Sequence, residues 1–138
     1  MKVHPAESHI VHTRQWSEMI NVTDVIAGKV RQKNIRHGLV ILFVTHTTAA
    51  ITINENADPD VQHDLMKKLE TLIPRSEDFY KHAEGNSDSH LKTSLVGQSV
   101  TLLIEAGRLI LGQWQGVYFC EFDGPRQREM VVKLVDFE

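Results

Sequence analysis

Residues 39–44 read LVILFV, six apolar positions in a row. A run with no polar alternation predicts a strand covered on both faces. AITIN (50–54) does alternate, and predicts a half-buried neighbouring strand. Upstream, the β-branched SHIVHTR (8–14) predicts an opening strand. TDVIAGKVRQKN (23–34) predicts a helix, with Thr23 as its cap, Val25, Ile26 and Val30 as apolar positions, and a stop near Gly38.

Asp58 and Pro59 suit the N-cap and first helical position of a second helix. Its apolar stripe is Val61, Leu65, Leu69 and Leu72, and Pro74 ends it. The polar stretch 75–90 has sixteen residues, more than a simple connection needs. Ser87 is placed to cap a short helix that carries Leu91 and Leu95 inward and closes at Gly97.

The last third reads as strands. VTLLIE and RLILG flank Ala106 and Gly107, while GVYFCEF and EMVVKLVDF flank DGPRQR, and both pairs suggest antiparallel hairpins. Strands in runs with helices grouped between them predict an α+β fold, a mainly antiparallel sheet or sandwich with about three helices. With 138 residues, 1–138 is expected to form a single domain.

Composition narrows the function classes. At 41% hydrophobic and 24% charged residues the chain matches soluble globular proteins. A formal charge of -3 lacks the basic footprint of a nucleic-acid binder. No stretch reaches the ~18 apolar residues of a membrane span. The lone Cys120 cannot form an internal disulfide, and MKVHPAESHI does not resemble a signal peptide, so a cytoplasmic setting is expected. Cys120 lies in an apolar strand and reads as a buried, inert thiol.

Candidate chemistry follows the apolar run directly, in THTTAAITINENADPDVQHD (45–64). The strand exit would hold His46, Thr47 and Thr48, and the next strand would end at Asn54 and Glu55, a polar rim on a rigid sheet. His46 could meet acidic neighbours or a metal, or be a hydrogen-bonded rim histidine. Asp64 borders the apolar stripe four residues before Lys68, where it suits either function or a helical ion pair. In the polar stretch, His82, Glu84, Asn86, Asp88 and His90 are dense enough in nitrogen and oxygen donors for a divalent cation or a phosphate ester, although no standard zinc or calcium pattern is matched. Ser87 and Lys92, with Ser89, Thr93 and Ser94, lie at or after a helix N-terminus that favours anions. Arg126 and Arg128 follow DGP, and a turn-held guanidinium suits phosphate or carboxylate. GxSxG, GxGxxG and P-loop signatures are missing.

Three stretches, THTTAAITINENADPDVQHD, YKHAEGNSDSHLKTSLVGQS and LGQWQGVYFCEFDGPRQR, resemble the YjbQ family, over roughly residues 20–135. The resemblance implies a compact α+β subunit forming a homotrimer, and a secondary thiamine-phosphate synthase activity joining a pyrimidine pyrophosphate to a thiazole phosphate. The family's motifs fall on His46 and Glu55, on Gly85, Asn86, Ser87, Asp88 and His90, and on Glu121, Asp123 and Arg126. Gln113 stands where the family commonly has threonine.

The combined expectation is a site with catalytic His46, Glu55, Asp64 and Arg126. Thr47, Thr48, Asn86, Ser87, Lys92 and Arg126 would bind a small phosphorylated substrate, and His46, His82 and His90 would hold a divalent metal ion, Mg or Zn. Two other functions suit the same residues: a metal-dependent hydrolase of a small phosphorylated compound, and a non-catalytic metal or ligand-binding protein.

Overall fold

In the computed structural model, which describes residues 1–138, burial alternates along the strands Gly38–Val44, Ser99–Glu105 and Gln127–Asp136 but is continuous along Gln115–Glu121 after its first residue. The elements in order are β1 (Lys2–Val3), β2 (Glu7–His12), β3 (Glu18–Asn21), α1 (Thr23–Gln32), β4 (Gly38–Val44), β5 (Ala49–Glu55), α2 (Pro59–Leu72), α3 (Ser87–Val96), β6 (Ser99–Glu105), β7 (Arg108–Leu109), β8 (Gln115–Glu121) and β9 (Gln127–Asp136). This is an α+β fold with three helices and two antiparallel sheets. The larger sheet runs β1-β9-β4-β6-β7, with β2 also on β9, and the smaller runs β3-β8-β5.

Core residues come from one face of each strand. Val40, Leu42 and Val44 of β4, Leu102 and Ile104 of β6, and Met130, Val132 and Leu134 of β9 pack against Ile51, Val117 and Phe119 of the smaller sheet. Ile26 and Val30 of α1 join the same cluster. Ala50, Tyr118, Cys120 and Phe122 face the other way, towards Met66, Leu69 and Val96 of the two later helices. Burial holds Cys120 as a thiol, its pKa pushed up to about 12.

Several expectations are corrected. Only one face of β4 is covered: Ile41 and Phe43 are exposed, because the larger sheet has no layer over its outer side. Strands β8 and β9 do not form a hairpin but belong to different sheets, as do β4 and β5. Thr23 is inside α1, and the side chain of Asn21 accepts from its N–H and hydroxyl instead. Asp58 does cap α2 by accepting from Asp60 N–H, with Pro59 first in the helix. Leu91 and Leu95 of α3 point outward, while Asp88, Ser89, Lys92 and Thr93 form its buried face.

Candidate functional site

Three connections cross from one sheet to the other at the same end of the sandwich: 13–17, 45–48 and 122–126. Backbone polar groups in such crossings lose their ladder partners and need side chains instead. Glu121, at the end of β8, is fully buried and meets that need. It accepts from Arg128 Nε at 2.9 Å and Nη2 at 2.5 Å, from the Thr13 hydroxyl at 2.7 Å, and from Asp123 N–H at 3.0 Å. Arg128 Nη2 also donates to Thr48 Oγ1 at 2.8 Å, tying the 45–48 crossing to the same pair.

Burial pushes the Glu121 carboxyl upward in pKa, but the hydrogen bonds from Arg128, Thr13 and Asp123 outweigh it, and the net shift is downward. Gly124 lies between Gln15 and Glu121. A Cβ there would collide with the Gln15 carbonyl oxygen and come within 2.8 Å of Glu121 Cγ, so only glycine fits this crossing.

Above the buried pair opens a cavity of about 300 Å³, lined by Thr45, His46, Thr47, Thr48, Glu84, Asn86, His90, Asp123, Arg126 and Arg128. No apolar side chain lines it. Arg126 is held by Asp123, with Nε donating to the carbonyl oxygen at 2.6 Å and Nη2 to Oδ2 at 2.8 Å, yet about half of its side chain stays exposed. Asn86 donates to the same Asp123 Oδ2 at 2.8 Å, and its own buried Oδ1 has no partner.

The protonation state of His46 follows from one contact. Glu129 N–H donates to His46 Nε2 at 2.8 Å, so Nε2 is the acceptor and the neutral ring carries its proton on Nδ1. Burial lowers its pKa, and the Arg128 charge lowers it further against Glu121 and Glu129.

The structure brings together His46, Thr47, Thr48, Asn86, His90 and Arg126 from the expected set. His82 and Ser87 line an adjoining cavity that shares His90. Glu55 ends β5 opposite Gln115, about 20 Å from its start at ~3.3 Å per residue, so within one chain it does not reach His46. Asp64 is exposed on α2 and bonds His63 at 3.1 Å. Lys92 is buried against Asp88 at 3.3 Å and faces a separate cavity beside Trp16. Its side of α3 turns away from the histidines.

Thr13 and Thr45 are added to the expected set by the fold, and Arg128, read from the sequence as a turn-held guanidinium, is instead a strand residue buried against Glu121. Thr13 is 108 residues from its partner Glu121, beyond any local pattern. Arg128 did leave a signal: it shares the inward alternation of Met130 and Val132, a cation on the buried face of a strand.

Expected metal chemistry is corrected on geometry. No group of three or more His, Cys, Asp or Glu side chains is placed to hold a metal ion. The Nε2 lone pair of His46 is committed to Glu129, and His82 packs edge to face on His90, ring centres 5.2 Å apart. The residues do not fit the Mg or Zn site expected from their clustering.

Comparison with known proteins places the chain. Residues 7–136 match the family described as UPF0047 protein YjbQ-like. The chain belongs to this family. A UPF0047 protein of Methanocaldococcus jannaschii is 47% identical over 91% of this chain and 90% of its own length. The UPF0047 protein YugU of Bacillus subtilis is 44% identical over 91% and 95%. Among solved structures, a YjbQ/UPF0047 family protein from Clostridium acetobutylicum superimposes with a TM-score of 0.91 at 45% identity, covering 94% of this chain and 99% of its own. A Sulfolobus solfataricus protein described as of unknown function gives 0.91 at 29% identity, covering 98% of each.

These names state a family and no reaction. The expected assignments to transferases and to thiamine biosynthesis are therefore corrected: the UPF0047 relatives do not carry them.

Proposed function

We propose that this UPF0047 protein binds a small phosphorylated compound in the crossing-loop cavity and hydrolyses its phosphate ester. The observation that supports this most is the lining of that cavity: ten residues, none apolar, with the half-exposed Arg126 at its mouth. Arg128 is buried against Glu121, which leaves Arg126, half exposed although paired with Asp123 at 2.8 Å, as the cation that reaches the phosphoryl oxygens beside the hydroxyls of Thr45 and Thr47. As water attacks phosphorus and the ester P–O bond breaks, His90 gives a proton to the leaving oxygen. The water's surplus proton passes to a phosphoryl oxygen and on to solvent, and His90 regains its proton from solvent. The Nδ1–H of neutral His46 donates to the phosphoryl group.

The test is calorimetry with inorganic phosphate together with phosphate release from a panel of small phosphate esters. Arg126→Ala is expected to weaken phosphate binding at least ~10-fold, the value of a charge-assisted hydrogen bond. His90→Gln is expected to retain binding and lose turnover. Binding without turnover of any ester would favour the non-catalytic reading, and phosphate affinity unchanged by Arg126→Ala would sink the site itself.

The proposal extends to assembly and setting. The outer face of the larger sheet presents Ile10, Ile41, Phe43 and Leu103, each 38–54% exposed, with Lys133 opposite Ile41 and Glu129 opposite Ile10. Apolar side chains interleaved with charges of both signs suit burial against a neighbouring copy, which in a homotrimer meets this face with a different patch of its own surface. No helix is long and apolar enough to cross a membrane. The single, buried cysteine supports a cytoplasmic setting.

A further inference from the structure

The largest cavity, about 630 Å³, shares no lining residue with the crossing-loop cavity and lies between α1, the 33–37 connection and the β6–β7 hairpin. Its size is within the roughly 300–1,000 Å³ of small-molecule sites. Val30, Ile35 and Leu109 supply an apolar floor, and Arg31, Arg36 and Arg108 stand at its wall. No aspartate or glutamate lines it.

The three arginines come from three separate segments, and none has a carboxylate partner. Arginine salt bridges in this chain are made only by Arg126 and Arg128. Glu105 is the register partner of Arg108 and could have neutralised it. Its carboxylate instead bonds His37 Nδ1 at 2.7 Å, and Glu138 approaches the other nitrogen of that ring at 3.5 Å. Arg31 has an ordinary reason for its place, since the last turn of a helix favours a cation. Arg36 and Arg108 have no such reason, and three guanidinium groups around one cavity with no carboxylate in its lining make it electropositive on a protein of net charge -3.

The backbone around the cavity is unusual in the same place. Asn34 at φ 54° and Ala106 at φ 49° are the only non-glycine residues with positive φ, and both line it. Gly107, at φ 79°, donates its N–H to the Arg36 carbonyl oxygen at 3.0 Å, fixing the hairpin to the connection. Asparagine tolerates this conformation after a helix and tight hairpin turns demand it, but an alanine there carries strain of about 1 kcal/mol or more.

We infer that this cavity is a second binding site, separate from the crossing-loop pocket, for a small polyanion with an apolar or aromatic body, the class that a nucleoside polyphosphate represents. The guanidinium groups take the anionic end, and the apolar floor takes the rest.

The test is calorimetry on the full chain with ATP, inorganic pyrophosphate and adenosine in chelator-treated buffer. ATP is expected to bind saturably and more tightly than pyrophosphate, with adenosine giving no measurable heat. Arg36→Ala and Arg108→Ala should each weaken ATP at least ~10-fold. Both side chains are exposed, so both variants should fold, and unchanged circular dichroism checks this. Chemical shifts of the Gly107 amide should move with ATP and stay still with inorganic phosphate. No saturable binding of ATP or pyrophosphate, equal ATP affinity in the double variant, or loss of binding in Arg126→Ala instead would each overturn the inference. The last outcome would locate the anion in the crossing-loop pocket, leaving the proposed function standing while this one falls.

Discussion

Glu121 and Arg128 show how a single buried pair can hold the framework of a site. Both side chains are almost fully buried, and their hydrogen bonds reach Thr13, Thr48 and Asp123 on all three crossings. Removing one partner leaves the other buried and unpaired, so Glu121→Gln is expected to cost about 3–5 kcal/mol. The sign of the pH effect follows from the lowered pKa of Glu121. A carboxyl with a depressed folded pKa contributes stability that is complete above its unfolded value and is lost as pH falls through the folded one. Urea midpoints measured from pH 7 down to 3 should therefore fall more steeply for the native chain than for Glu121→Gln below about pH 4.5, near the ordinary glutamate value. Parallel curves would show that the Glu121 carboxyl titrates alike in the folded and unfolded chain, with no lowering of its pKa.

At the scale of elements, α3 reverses the usual rule for a helix on a sheet. Its leucines Leu91 and Leu95 are 46% and 62% exposed, while Asp88 and Lys92 are 1% exposed and paired at 3.3 Å. Ser89 donates to the Phe122 carbonyl oxygen at 2.6 Å, so the polar face answers the unladdered backbone of the 122–126 crossing. Hydrophobic periodicity was therefore a poor guide to this helix, because the surface awaiting it is partly polar. Asp88→Ala should lower stability by about 3–5 kcal/mol, whereas the double change Asp88→Leu with Lys92→Met should recover most of that loss, since a buried pair is roughly replaceable by apolar volume. Chemical denaturation of the three chains decides it, and a double variant no more stable than Asp88→Ala would contradict the account.

On the scale of the whole molecule, the two sheets share one core, and the smaller sheet is covered on its far side by helices. The larger sheet is not, and Phe43 and Leu103 lie in the open on neighbouring strands. If the proposed homotrimer covers this face, light scattering after size exclusion should give three times the 15.7 kDa chain mass. Phe43→Asp with Leu103→Asp should then release folded monomer, because two desolvated charges at an apolar contact cost several kcal/mol. A native chain that runs as monomer at micromolar concentration would refute the assembly.

What the sequence determined by itself is local or periodic. The Asp58 and Pro59 start of α2, the Gly97 end of α3, the inert Cys120 and most strands were legible because turn chemistry and alternation act over a few residues. The convergence of His46, Asn86, His90 and Arg126 was legible only as a family resemblance and a density of polar residues. Tertiary structure alone decided that β9 leaves its apparent hairpin partner β8, and β4 its expected neighbour β5, for another sheet, which puts Glu55 far from His46 within the chain and Thr13 beside Glu121. It alone decided the facing of α3 and the gathering of Arg31, Arg36 and Arg108. The reason is that a strand's period states which residues share a face, not which sheet that face meets. Contacts between residues a hundred positions apart depend on that choice.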